Sequence, residues 1–220
     1  MNIKGIDVSV WQGKIDWKKV KASGIVFAMI RVGYGSSQGN DCKMDTYFKA
    51  NVEGALAAGV EVGIYFYSYA KSAQAAALFD MPQASEAPRV VEQIAPYKGR
   101  ILYPVAYDLE DSKQAGLGRD VLTAMVTAFC TTIEAAGYYA SFYCNTNWCK
   151  NMLNMDDLKG FDLWLAQPAD DGLQLRHVAA QQLWQCGGHQ RARRSGRRVQ
   201  GLCGHYQARR TERVQGDRTA

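Results

Sequence analysis

The chain has 220 residues, with 26 Lys and Arg against 21 Asp and Glu, and 47% of its residues are hydrophobic. This length suffices for one large domain or two small ones with a substantial buried core. The apolar fraction is that of a globular protein, which excludes wholesale disorder. No apolar run approaches the roughly 20 residues of a membrane-spanning helix, which excludes an integral membrane protein.

The net charge of +5 belongs to the C-terminal segment. Residues 1–167 contain 16 basic and 17 acidic side chains, whereas residues 168–220 contain ten Arg, no Lys and four acidic side chains. The basic character therefore gives no information about the ligand of the main domain. The start of the chain shows no charged stretch followed by an apolar one, so we expect synthesis without a signal peptide.

Strand-like and helix-like segments alternate along the chain. The predicted strands are 3–10, 25–32, 60–69, 101–109, 138–143 and 161–166, and the predicted helices are 16–22, 43–58, 73–79, 90–94, 119–136 and 146–154. Between the third and fourth helices, Pro82 and Pro88 predict an irregular link, because proline removes a donor and crowds the preceding turn. Such alternation is typical of a parallel sheet covered by helices.

Six such strands fit either a closed barrel or an open, doubly wound sheet. Neither G-x-G-x-x-G after the first strand nor G-x-x-x-x-G-K-[ST] occurs, which disfavours the nucleotide-binding versions of the open sheet. We therefore predict an α/β fold of the β/α-barrel type. From about Arg191 the sequence is rich in Arg and Gly and has no apolar periodicity, which predicts disorder. The expected division is a barrel domain at 1–185 and an aberrant tail at 186–220.

Two carboxylates follow the fourth predicted strand. In Y-P-V-A-Y-D-L-E-D, strand alternation places Asp108 and Glu110 on one side of the sheet and Leu109 on the other. Two carboxylates held close together do not both ionise easily, so one of them keeps a proton near neutral pH. A glycosidase needs this arrangement, with one acid for the leaving oxygen and one charge for the oxocarbenium-like centre. The alternative is a solvated polar strand end.

A third carboxylate, Asp7, lies within the apolar first strand, where it is costly unless it is paired or functional. The alternative is a structural hydrogen bond to a neighbouring loop. Aromatic residues also gather where strands end, and their rings suit the apolar faces of sugars, although strand aromatics more often belong to a core. These residues are Trp11, Tyr65, Tyr67, Tyr69, Tyr107, Tyr143 and Trp164.

The motifs together resemble the lysozyme-type muramidases of glycoside hydrolase family 25. The resemblance rests on G-I-D-V-S-V-W-Q-G at 5–13, D-T-Y-F-K-A-N at 45–51, G-I-Y-F-Y-S at 63–68, P-V-A-Y-D-L-E at 104–110 and D-L-W-L-A-Q at 162–167. It implies an irregular TIM-like barrel that cleaves the β-1,4 bond between N-acetylmuramic acid and N-acetylglucosamine in peptidoglycan.

The resemblance also assigns roles to individual residues. Glu110 would be the general acid/base, and Asp108 would stabilise the transition state, either as nucleophile or by orienting the N-acetyl group of the substrate. Asp7 would complete the acidic pocket. The substrate-binding residues expected from the same motifs are Trp11, Tyr65, Tyr67, Tyr143, Trp164 and Gln167. Neither a metal nor an organic cofactor is implied.

The C-terminal part departs from the family pattern. Leu183-Trp184-Gln185 matches a closing W-Q-Y-like strand, but Cys186 replaces the Tyr and no final strand with an apolar-flanked Asp follows. We interpret the tail as translation in a shifted reading frame, so that the last strand or strands of the barrel are missing or non-native. The expected consequences are marginal stability and impaired activity, because unpaired strand edges are exposed and one wall of the cleft is lost.

Two other functions remain open from the sequence. One is a glycan-binding protein with little or no catalysis. The other is an anionic-polymer binder acting through the Arg-rich tail, which has no recognisable nucleic-acid motif. We expect peptidoglycan strands as the partner, with no specific nucleic acid and no membrane, and a monomer that is cytoplasmic until released to the cell wall. The six cysteines are too few for a disulfide scaffold, and we interpret them as small buried hydrophobes.

Overall fold

In the computed structural model, the described residues are 4–35, 41–77 and 85–166. The predicted tail at 186–220, the predicted site residue Gln167 and the predicted defect in the last strands lie outside these ranges. No helix in the described ranges combines the length and apolar character that crossing a bilayer requires.

The strands form one curled, parallel half-barrel. They are β1 (Gly5–Val8), β2 (Phe27–Tyr34), β3 (Lys43–Met44), β4 (Glu61–Tyr67), β5 (Ile101–Asp108), β6 (Ala140–Asn145) and β7 (Asp162–Ala166). Along the sheet the order is β1-β2-β4-β5-β6-β7, with every neighbouring pair parallel, and β3 pairs antiparallel with β2. The predicted α/β class is confirmed, and each predicted strand occurs with slightly shifted ends.

Helices connect the parallel strands and cover the outer face of the sheet. They are α1 (Trp17–Ala22), α2 (Phe48–Ala57), α3 (Ala73–Ala77), α4 (Glu86–Ile94) and α5 (Arg119–Ala135), with 3-10 turns at Val10–Gln12, Ala95–Tyr97 and Ser112–Leu117 and a π-helical turn at Trp148–Met152. The core lies between the sheet and these helices, where Tyr107 of β5 stacks on Phe129 of α5 with ring centroids 4.2 Å apart.

Two helix predictions were wrong in detail. The segment predicted as a helix from 43 begins instead with the short strand β3, because Lys43 and Met44 pair with the end of β2. Helix α4 begins at Glu86, four residues before the predicted start, and therefore includes Pro88. Proline is tolerated there because the amide groups of a first helical turn have no partner within the helix.

The inner face of the sheet is packed near the N-terminal ends of the strands. Phe27 stacks on Tyr103 with centroids 4.1 Å apart, and Met29 is buried beside them. A Cβ atom at Gly5 would lie 2.1 Å from the Phe27 ring, and one at Gly63 would lie 2.4 Å from the Met29 sulfur. Glycine on β1 and β4 thus gives these side chains room to fill the lower part of the half-barrel, which leaves its other end for polar groups.

Candidate active site

The C-terminal ends of β1 and β5 carry the three carboxylates singled out in the sequence. Asp7 lies on β1 opposite Met29 of β2. Asp108 is the last residue of β5, and Leu109, which follows, is fully buried in the core. Since Leu109 points into the core between sheet and helices, Asp108 and Glu110 lie on the inner side of the half-barrel.

Burial raises the pKa of all three carboxylic acids, and nearby negative charges raise it further. Burial raises the pKa of Asp7 to about 6, with a further contribution from the charge of Glu110. The pKa of Asp108 is raised well above its usual range by burial, then by the charges of Glu110 and Asp7, and Arg31 opposes this rise. Burial also raises the pKa of Glu110. The three groups therefore interact electrostatically, and the cluster retains protons near neutral pH.

Two oxygen atoms of this cluster are buried without a hydrogen-bond partner. Within the described ranges, Asp7 Oδ2 and Asp108 Oδ1 have none. A buried carboxylate that lacks partners is costly unless it is protonated or meets a ligand. Glu110 is more accessible than Asp108, so its carboxyl group is the better placed of the two to meet a substrate.

An aromatic wall stands beside Glu110. Tyr143 hydrogen bonds to Glu110 and thereby opposes the rise in its pKa. The ring of Tyr143 packs edge-on against Trp164 of β7 at 4.9 Å, and Tyr65 of β4 contacts the same indole at 6.2 Å. At the end of β4, the pKa of Tyr67 is raised by burial and then by the charges of Asp108 and Glu110. The structure thus brings four of the predicted substrate-binding residues to the carboxylate cluster.

The other three aromatic residues from the sequence differ in their positions. Tyr69 packs on Tyr67 with ring centroids 5.1 Å apart. Trp11 is 83% exposed in the 3-10 turn after β1. Tyr107 points to the helical side of the sheet, where it packs on Phe129. Neighbouring side chains of a strand point to opposite faces, so Tyr107, one residue before the inward-facing Asp108, faces the helices.

Sequence reasoning missed an ion pair close to the cluster. Asp45 accepts hydrogen bonds from Arg31 Nε and Nη2, each at 2.8 Å, and from the backbone amides of Val10 and Tyr47, each at 2.9 Å. This carboxylate therefore fixes both the loop after β1 and the guanidinium that opposes the rise in the pKa of Asp108. The sequence signal that could have identified Asp45 was its place in the D-T-Y-F-K-A-N motif.

A second missed residue, Glu86, lies fully buried at the start of α4. Its carboxylate accepts hydrogen bonds from the Ser68 hydroxyl at 2.9 Å, the Tyr107 hydroxyl at 2.6 Å and the backbone amides of Tyr69 and Ala70 at 2.9 and 3.1 Å. The backbone amide of Ser68 in turn donates to the carbonyl of Asp108 at 2.9 Å. This network supports the strand end that carries Asp108, and burial raises the pKa of Glu86 to about 7.

The grouping of side chains among the described residues also bears on metal binding. Among residues 4–35, 41–77 and 85–166, no group of three or more His, Cys, Asp or Glu side chains is arranged to hold a metal ion. The chemistry that the described residues support is proton transfer and electrostatic stabilisation by the three carboxyl groups.

Comparison with known families gives a match over most of the chain. The sequence profile of Glycosyl hydrolases family 25 matches residues 6–193. The chain belongs to glycosyl hydrolase family 25. The resemblance inferred from the sequence motifs is thereby confirmed, and the match extends eight residues into the segment predicted as the tail.

Two curated proteins that resemble this chain are lysozymes by name. Lysozyme M1 of Streptomyces globisporus is 39% identical over 66 residues, which are 30% of this chain and 21% of that protein. The autolytic lysozyme of Clostridium acetobutylicum is 27% identical over 165 residues, which are 75% of this chain and 45% of that protein. The matches thus span less than half the length of these relatives.

Solved structures share the fold of this family 25 chain. The modular autolysin LytC of Streptococcus pneumoniae aligns with a TM-score of 0.62 and 25% identity, covering 75% of this chain and 37% of that one. The same autolysin has a structure in complex with a synthetic peptidoglycan ligand, at 24% identity. A bacterial lysozyme from Streptomyces coelicolor aligns with a TM-score of 0.59 and 23% identity over 82% of this chain and 79% of that one.

Proposed function

We propose that this family 25 chain is an N-acetylmuramidase, which hydrolyses the β-1,4 bond between N-acetylmuramic acid and N-acetylglucosamine of peptidoglycan. The observation that carries the proposal is the convergence of Asp7, Asp108 and Glu110 at one end of the half-barrel, in a chain of this hydrolase family. The curated relatives are named lysozymes, and one neighbouring structure holds a peptidoglycan ligand, which supports the same substrate class.

In the proposed reaction Glu110 protonates the glycosidic oxygen. Burial raises its pKa, which extends the pH range over which the acid holds its proton, and its accessibility lets the carboxyl group reach the leaving oxygen. Asp108 stabilises the positive charge that develops at the anomeric carbon, either as nucleophile or by orienting the N-acetyl group of the substrate. Asp7 adds negative charge to the same pocket.

The aromatic wall gives the proposed glycan site. Tyr143 hydrogen bonds to Glu110 and packs on the buried Trp164, which also contacts Tyr65. Sugar rings pack their C–H faces against aromatic surfaces of this kind. The partner is therefore the peptidoglycan strand, and the place of action is the bacterial cell wall. We also propose that the chain acts as a monomer, since one chain supplies all three carboxylates.

The experiment compares turnover and binding in one variant. Glu110→Gln keeps the shape of the side chain but removes the acidic proton, so turbidity loss of a cell-wall suspension should fall at least about a hundredfold. Sedimentation with insoluble walls should stay near the level of the unaltered chain. Glu134→Gln, an exposed glutamate on α5, is the matched control and should retain full turnover.

The two measurements separate the proposed enzyme from a glycan-binding protein without catalysis. If the unaltered chain sediments with walls but Glu110→Gln leaves its clearing rate unchanged, the proposal fails.

A further inference from the structure

Two cysteines meet beside the aromatic wall, although the sequence suggested only scattered buried thiols. Cys144 is buried on β6, and Cys149 is partly exposed in the π-helical turn Trp148–Met152. Their sulfur atoms lie 3.1 Å apart, within hydrogen-bond distance. The two other cysteines in the described ranges have different surroundings, and the Cys130 thiol contacts the carbonyl of Ser141 at 3.5 Å.

We propose that Cys144 and Cys149 are a reversible oxidation site, which closes to a disulfide when the folded chain meets a small-molecule disulfide such as oxidised glutathione. A disulfide bond is about 2.05 Å long, so the two sulfur atoms need to approach by about 1 Å. The bond closes within one strand-to-turn connection, so it requires no rearrangement of the sheet.

The two thiols differ in a way that sets the order of the steps. Cys149 is the more accessible, and the hydrogen bond from Cys144 lowers its pKa. The same contact and burial raise the pKa of Cys144. The Cys149 thiolate attacks one sulfur of oxidised glutathione, forming a mixed disulfide and expelling one glutathione thiolate.

The buried thiol then resolves the mixed disulfide. Cys144 loses its proton, and its sulfur attacks Sγ of Cys149 and expels the second glutathione thiolate. The two protons from the cysteines are taken up by the two glutathione thiolates, so glutathione is reduced by two electrons and the cysteine pair is oxidised by two. A thiol reductant reverses both steps.

The cross-link would tie the turn Trp148–Met152 to the strand residue that follows Tyr143. Since Tyr143 contacts both Glu110 and Trp164, the oxidised pair would fix this turn against the strand that carries Tyr143. The proposal does not depend on catalysis, because its test measures the bond itself.

The test maps the cysteines of the folded, full-length chain after incubation with oxidised glutathione. The reaction is stopped with acid, free thiols are alkylated, and chymotrypsin, which cuts after aromatic residues, separates Cys144 from Cys149 by cleavage after Tyr143 and Trp148. We expect these two peptides to be recovered joined and to separate on reduction. Among the four cysteines in the described ranges, the number of free thiols should fall from four to two.

Variants identify the pair. Cys149→Ser and Cys144→Ser should each abolish the joined peptide, whereas Cys42→Ser, a buried cysteine outside the pair, should retain it. The proposal is overturned if both peptides from the unaltered chain are alkylated, if Cys149 stops at the glutathione adduct, or if either cysteine is joined to another one. Mapping of the unaltered chain decides the question even where a variant does not fold.

Discussion

Replacing Glu86 by Gln should change how the stability of the protein depends on pH. The folded chain raises the pKa of this buried carboxyl from 4.5 to about 7. Between these two values the folded state holds a proton that the unfolded state has released, so the free energy of unfolding falls as pH rises. At 1.36 kcal/mol per pH unit, the difference amounts to about 3 kcal/mol.

Glutamine does not titrate, so the variant lacks this loss. The free energy of unfolding of Glu86→Gln, minus that of the unaltered chain, should therefore increase by about 3 kcal/mol between pH 4.5 and pH 8. Contributions from Asp7, Asp108 and Glu110 are common to both proteins and cancel in the difference. Urea unfolding, followed by tryptophan fluorescence at several pH values, measures this quantity.

Two further variants separate charge from hydrogen bonding. Glu92→Gln removes an exposed carboxylate from the same helix and is the control for loss of a charge outside the buried network. Glu86→Ala should lose about 3 kcal/mol even at pH 4.5, because it leaves the amide of Tyr69 and two hydroxyl groups without their acceptor. A constant difference between Glu86→Gln and the unaltered chain would refute the reasoning.

Three other predictions concern the site itself. Asp45→Ala should lower the free energy of unfolding by about 3 kcal/mol, because it leaves the guanidinium of Arg31 buried without its partner. Urea titration measures this loss, and an unchanged unfolding midpoint would contradict it. Asp7→Asn removes a negative charge beside the other two acids, so the general acid should lose its proton at lower pH. The alkaline limb of the kcat/KM profile should therefore move to lower pH, and a shift to higher pH would contradict the described interaction between the charges. Trp164→Ala should raise KM for soluble glycan chains about tenfold with less change in kcat. Trp164→Phe keeps an aromatic ring, so its KM should stay within about threefold. Equal effects of the two variants would exclude ring stacking as the contribution of Trp164 to KM.

The sheet was predictable from the sequence because its strands repeat a local pattern. Nearly continuous apolar runs indicated strands buried on both faces, and the alternation of strand and helix indicated parallel pairing. The same alternation placed Asp108 and Glu110 on one side, with Leu109 in the core. Alternation of side chains between the two faces of a strand follows from the local backbone, so the shared side of Asp108 and Glu110 could be predicted without knowing any tertiary contact.

The partners of the buried polar groups were not predictable in this way. Glu86 bonds to amides and hydroxyls 16 to 21 residues away, and Asp45 bonds to an amide 35 residues away. Such contacts depend on how the folded chain brings the loop after β1 to Asp45 and the loop after β4 to Glu86. The pairing of Cys144 with Cys149 likewise depends on a π-helical turn, which the sequence indicated only as a short helix.

The start of α4 shows a different reason for failure. Pro88 was interpreted as a break, but proline within a first helical turn is compatible with a helix. The decisive fact is that Glu86 begins the helix, and this follows from its buried network with the neighbouring strands. Tertiary contacts thus determined a boundary that local rules placed four residues too late.

The most direct test of the central claim is the identity of the sugar at newly formed chain ends. Purified peptidoglycan is digested with the full chain, the new reducing ends are reduced with borohydride, and the resulting sugar alcohols are separated after hydrolysis. The proposed role of Glu110 and Asp108 predicts that muramic acid appears as its alcohol, and that Glu110→Gln produces none. New ends made of N-acetylglucosamine, or unchanged release by Glu110→Gln, would contradict it.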